Sequence, residues 1–185
     1  MRQVQRGYCG RRAVVLKCMM IGVVVLLLAG CGNRSYKKGM EELENGNYKE
    51  AAAELQEAVK NDKEAADAYR GLGIALWEQE DYERAAGAFQ SALDAGTEKT
   101  GTIYNFLGAC ELKLEHPEKA LQYYEQGLKL EGSSKAVIRE MEYNSIAACE
   151  QMKDWDSAKE KLSKYVEKYP DDEKAAKEAE FLETR

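Results

Sequence analysis

A chain of 185 residues, 44% hydrophobic and 32% charged, has enough apolar material for one domain with a real core, but carries more charge than a compact globule, which suits an elongated protein. Only two prolines occur, and Ala, Glu, Lys, Leu and Tyr dominate after residue 34, so the composition argues against strands and predicts an all-α chain. The first thirty residues hold Arg2, Arg6, Arg11, Arg12 and Lys17 and no acid; without these five, 22 basic residues face 33 acidic ones, a net of −11, and so acidic a body excludes nucleic acid as a partner.

The basic start leads into the apolar run Ile21-Gly22-Val23-Val24-Val25-Leu26-Leu27-Leu28, too short to span a bilayer and laid out like a secretory signal. Leu28-Ala29-Gly30-Cys31 follows and resembles a bacterial lipobox. The resemblance implies that residues 1–30 are cleaved and that Cys31 carries a diacylglyceryl group. Two or three acyl chains on one cysteine make a stable anchor, whereas one binds only marginally. The alternative is an uncleaved anchor running back to Ala13, which would bury Lys17 at a cost of a few kcal/mol. Residues 31–34 are a short tether, and Arg34, Lys37 and Lys38 just beyond it are either headgroup contacts or ordinary solvated helix residues.

Further along, a pattern repeats. Ala51-x-x-x-Leu55-x-x-Ala58 returns as Ala85-x-x-x-Phe89-x-x-Ala92, Ala120-x-x-x-Tyr124-x-x-Gly127 and Ala158-x-x-x-Leu162-x-x-Tyr165, at spacings of 34, 35 and 38. Upstream of each stands a second set: Gly39, then Tyr69-x-x-Leu72-Gly73, Tyr104-x-x-Leu107-Gly108 and Tyr143-x-x-Ile146-Ala147. Between the sets lie turn signals at Asn45-Gly46-Asn47-Tyr48, Glu80-Asp81-Tyr82, His116-Pro117 and Lys153-Asp154-Trp155, so each unit reads as helix, turn, helix. On this reading Gly39, Gly73, Gly108 and Ala147 face Ala51, Ala85, Ala120 and Ala158, letting the paired backbones approach. Tyr82, Ala85, Ala86, Phe89, Ala92 and Leu93 form an apolar stripe that needs a neighbouring unit to cover it.

These residues resemble the tetratricopeptide repeat, with Pro170 at the closing position of the last unit. The resemblance implies a right-handed α-solenoid of four hairpins at 35–66, 67–100, 101–134 and 135–170, with a concave groove. Unit one departs from it in having Lys38 where Leu is expected; unit four is expected to be one residue short in its turn and to have a long first helix running back toward Ser134. The tail, 171–185, reads as an amphipathic helix through Ala175, Ala179 and Leu182 that caps the stack. Groove positions implied by the family are Tyr36, Met40 and Leu43; Arg70, Ile74 and Trp77; Asn105, Ala109 and Leu112; and Asn144, Ala148 and Gln151. The alternative for several of these is packing against the next unit. The family's clamp for an acidic chaperone C-terminus uses Lys and Asn at such sites, and here only Arg70 is basic.

No catalytic or cofactor constellation appears. His116, the only histidine, sits in a turn with no carboxylate or cysteine pattern around it, and neither Cys-x-x-Cys nor a Gly-rich phosphate loop is present. Cys110 and Cys149 read as buried thiols at equivalent sites, since packed helices lie roughly 8–10 Å apart and a disulfide wants Cα atoms within about 6.8 Å; a bridge between them is the alternative. The expectation is therefore a non-enzymatic lipoprotein of the bacterial envelope, facing the extracytoplasmic side, whose groove takes a peptide segment of a membrane-associated partner. Its rival is a structural homo-oligomer with no separate ligand.

Overall fold

The computed structural model describes residues 34–61 and 65–184; the signal segment, Cys31 and most of the tether lie outside them. Nine helices follow one another among the described residues: α1 (34–44), α2 (Tyr48–Asn61), α3 (Ala65–Trp77), α4 (Tyr82–Asp94), α5 (Gly101–Lys113), α6 (Pro117–Leu128), α7 (Lys135–Gln151), α8 (Trp155–Lys168) and α9 (Glu173–Glu183). From α2 onward each helix packs against the next, and α5 also touches α7. The all-α helical-repeat solenoid is therefore the observed architecture, with α1/α2, α3/α4, α5/α6 and α7/α8 as its hairpins and α9 closing the end.

One turn geometry joins the two helices of every hairpin. Amide N–H groups of Asn47, Asp81, His116 and Asp154 donate to the carbonyls of Glu42, Leu76, Glu111 and Cys149, at 2.9, 3.0, 2.8 and 2.9 Å. The residue before each donor has positive φ: Gly46 at 76°, and Glu80, Glu115 and Lys153 at 60°. Only unit one uses glycine there; the other three hold an ordinary side chain in a sparsely allowed region, at a cost repeated identically along the array. Side chains of Asp81 and Asp154 then accept from the N–H of Arg84 and Ser157, capping α4 and α8, and Pro117 opens α6 where its missing N–H is not needed.

This turn corrects the register of unit four. Counting back from Asp154 as from Asp81 and His116, the residue equivalent to Gly73 and Gly108 is Ile146 and not Ala147, and no residue is missing from the turn. Burial agrees: Ile146, Ala148 and Cys149 are buried and Ala147 is half-buried, matching Gly73, Ala75, Leu76 and the half-buried Ile74 of unit two. Extra length enters instead at the start of α7, whose 17 residues exceed the 13 of α5 by four. Four residues are about one helical turn, so the buried face keeps its phase. Ser134 caps the extension through its Oγ, which accepts from the Val137 N–H.

A second correction concerns the glycines, which face large side chains instead of small ones. A Cβ on Gly39 would meet Leu55 at 2.6 Å, one on Gly73 the Phe89 ring at 2.7 Å, and one on Gly108 the Tyr124 ring at 2.5 Å. The residue lying over each glycine is thus one helical turn beyond the alanine that recurs in every unit. Unit four solves the same contact differently, burying Ile146 in one cluster with Leu162. In unit one, Lys38 occupies the place where the family has Leu; it is exposed and pairs with Glu54 of α2.

The helix α9 is tied down by a polar network between residues far apart in sequence. Arg139 donates through Nη2 to Asp172 Oδ2 at 2.9 Å and through Nε to the Tyr165 hydroxyl at 3.0 Å; that hydroxyl donates to the same carboxylate oxygen at 2.9 Å. Asp172 Oδ1 accepts from the Ala175 N–H and caps α9, while Tyr143 donates to Glu178. The cap N–H first, then Arg139 and Tyr165, hold the Asp172 carboxyl down to about 2. A depressed carboxylate contributes stability that is complete above its unfolded pKa, about 3.9, and is lost as pH falls toward 2. Asp172→Asn is expected to be less stable at neutral pH and to lose less stability between pH 4 and 2 than the parent, by urea denaturation followed at each pH. Equal pH dependence in the two would contradict this role.

Cys110 and Cys149 are fully buried free thiols, and burial pushes the Cys110 thiol up to about 12. They are not at equivalent sites: Cys110 aligns with Ala148, and Cys149 with Glu111. The outer face of α9 is less polar than its sequence suggests, since Phe181 is 54% exposed. No helix among the described residues is long and apolar enough to cross a membrane.

Candidate binding groove

The first helices α1, α3 and α5 place the residues of units one to three side by side. Tyr36, Met40, Leu43, Ile74, Trp77, Ala109 and Leu112 are half-buried and Arg70 is exposed. Several of them serve the joints between units as well. Met40 lies where a Cβ on Gly71 would meet its sulfur at 3.0 Å, and Trp77 is held edge-on between Tyr82, at 5.0 Å between ring centroids, and Phe106 of the next unit, at 5.9 Å. Trp77 is thus largely a joint residue, the alternative that helical phase alone left open.

Unit four contributes little of what was expected. Ala148 is 0% exposed and cannot meet a ligand, Asn144 is displaced by one from the groove position, and Gln151 is exposed beyond it. The corrected register puts Tyr143, Ala147 and Glu150 there, and Tyr143 is already engaged by Glu178 of α9, with Lys174 over its ring at 5.3 Å. The open strip therefore belongs to the first three units.

Between α3 and α5 the strip deepens into a cavity of about 520 Å³. Ile74, Phe106 and the buried Phe89 give it an apolar floor, Phe89 and Phe106 stacking at 5.0 Å; Arg70, Glu98, Lys99, Thr102 and residues 131–134 form its polar rim. Phe106 was missed in the sequence, where it stands beside Leu107-Gly108 and looks like one more core position. The Thr102, Asn105 and Ala109 positions share one face of α5 by their spacing. Asn105 is only 7% exposed and its Oδ1 has no hydrogen-bond partner, which leaves a buried acceptor unsatisfied at a cost of about 1–3 kcal/mol.

His116 does have a carboxylate beside it. Its Nδ1 lies 2.8 Å from Glu111 Oε2, and Lys119 approaches the same carboxylate at 3.6 Å. The pair braces the turn of unit three, where unit two has Leu76, and lies away from the strip.

Models of the tetratricopeptide repeat match residues 36–99 and 146–172. The chain is a tetratricopeptide-repeat protein. Its third unit, between the two matched stretches, has the same tetratricopeptide hairpin and turn as the others. No curated protein matches it by sequence. Among solved structures it is similar to YrrB, with a TM-score of 0.68, 24% identity and coverage of 80% of this chain and 74% of that one. It is also similar to MamA from Desulfovibrio magneticus RS-1, at 0.71, 22%, 84% and 85%. A third likeness is to PilF of Pseudomonas aeruginosa, at 0.63, 20%, 84% and 68%. At these identities the likeness is one of fold.

Proposed function

We propose that this tetratricopeptide protein is a lipid-anchored adaptor of the bacterial envelope, held through Cys31 on the extracytoplasmic side, whose groove captures an extended segment of another envelope protein. It binds and does not catalyse. The observation that carries the binding reading is the cavity of about 520 Å³ between α3 and α5, with its apolar floor and polar rim. An apolar floor suits a side chain of the segment, and the exposed Arg70 and Thr102 on the rim suit its backbone polar groups. YrrB, similar in fold, is described as having an unusual peptide-binding site, which supports the same use of the architecture.

Thr102 lies on the cavity rim and is exposed, so a change there separates binding from mere packing. Peptides selected by display against the mature chain supply the probe. Thr102→Trp, which puts a bulky ring at the cavity mouth, is expected to weaken their binding about tenfold while moving the melting temperature by no more than about 2 °C, as for an exposed position. A variant that is equally stable and undiminished in peptide binding would remove the cavity from the binding site.

A further inference from the structure

The two long edges of the array differ in charge. All the turns within hairpins lie along one edge: Gln79, after α3, donates to the carbonyl of Tyr48 at the start of α2 at 3.0 Å, and Lys113, ending α5, lies 6.0 Å from the Tyr82 ring. The connections between units lie along the other. Residues 98–102 and 131–134 line one cavity, a Cβ on Gly101 would strike Ser133, and Arg139 reaches Asp171 and Asp172 before α9. Since the end of α1 lies beside the turn edge, its beginning lies on the connection edge.

Formal charge follows this division. The turn segments 44–50, 78–84, 113–119 and 151–157 together carry −5, whereas on the other edge the start of α1, 34–38, carries +3 and the described connections 95–101, 129–135 and 168–174 together carry no net charge. A helix of 13 residues separates the two edges by about 20 Å, roughly two screening lengths at physiological salt, so a surface touching one edge hardly feels the other. Cys31 precedes α1 by three residues, a reach of at most about 11 Å, and so any lipid on it emerges at the connection edge.

We propose that the connection edge, with Arg34, Lys37, Lys99 and Lys135, lies against the anionic headgroups of the bilayer, and that the acidic turn edge points away. This rests on the lipid-anchor reading and adds an orientation to it. The opposite pose would press the −5 edge against a surface of like charge and stretch the tether across the length of a helix. The cavity between α3 and α5, rimmed by two connections, then opens toward the membrane, where a segment leaving a bilayer-embedded partner would meet it.

The test uses the lipidated full chain, purified from membranes and placed in vesicles containing phosphatidylglycerol and a headgroup nitroxide. A fluorophore is attached at Lys99→Cys or Lys135→Cys on one edge and at Glu80→Cys or Glu115→Cys on the other; the native thiols beyond Cys31 are buried. Quenching at 99 and 135 should exceed that at 80 and 115 by at least about twofold and the difference should shrink in high salt. Equal quenching, or stronger quenching at 80 and 115, in protein whose intact mass carries the lipid overturns the orientation alone. A mass without the diacylglyceryl group overturns the anchor and the orientation with it.

Discussion

Gly73→Leu is expected to lower the melting temperature by about 6–12 °C, the equivalent of roughly 3 kcal/mol in a chain of this size. A Cβ at this position would sit 2.7, 2.8 and 2.9 Å from three carbons of the Phe89 ring. That ring is fully buried and stacked on Phe106, which in turn meets Trp77, so it cannot retreat without moving the joint between units two and three. Gly87 supplies the control. It is helical with nothing within 4 Å of its would-be Cβ, and Gly87→Ala should raise the melting temperature by about 2–4 °C through helix propensity alone. Phe89→Leu added to Gly73→Ala should cost less than the two changes summed, because unit four already combines Ile146 with Leu162 in one cluster. An unchanged melting temperature in Gly73→Leu would sink the packing account of the repeat.

The other large effect is on location. Cys31→Ser removes the only thiol to which the lipobox resemblance assigns a lipid, and we expect the protein to move from the membrane fraction to the soluble one. Its circular dichroism spectrum should not change, because residue 31 precedes α1 in the chain and the helices of the repeat all begin beyond it. An acyl anchor of two or three chains is effectively lost in one step when the thiol is lost. Full retention in the membrane fraction would argue instead for an uncleaved apolar segment reaching back toward Ala13.

Much of the architecture was legible because short-range signals fix it. Gly46, the Asp81 and Asp154 caps and Pro117 mark each turn, and the 34, 35 and 38 spacings reveal the stack before any contact is known. The register of unit four was not, since a small residue at Ala147 imitates the glycine that the turn geometry assigns to Ile146. One residue of shift on a helix rotates every side chain by about 100°, which turned Ala148 from an expected groove contact into a core residue. Trp77 illustrates a different limit: helical phase gives the side of a helix, but the side that lines a groove also borders the next unit. The clamp on α9 joins Arg139 to Asp172 across 33 positions, and no periodicity announces a pair so far apart. Asn105 was readable as a groove position, but not as a buried acceptor without a partner.

In the proposed function, the face between α3 and α5 holds another envelope protein. Photo-crosslinking from position 102, in place of the exposed, cavity-lining Thr102, tests it in intact cells carrying the membrane-anchored protein, with position 87 on α4 as the control. A discrete adduct with a foreign membrane-associated protein is expected from 102 and none from 87. Adducts of the chain with itself alone, or the same adducts from both positions, would contradict it and favour a structural homo-oligomer.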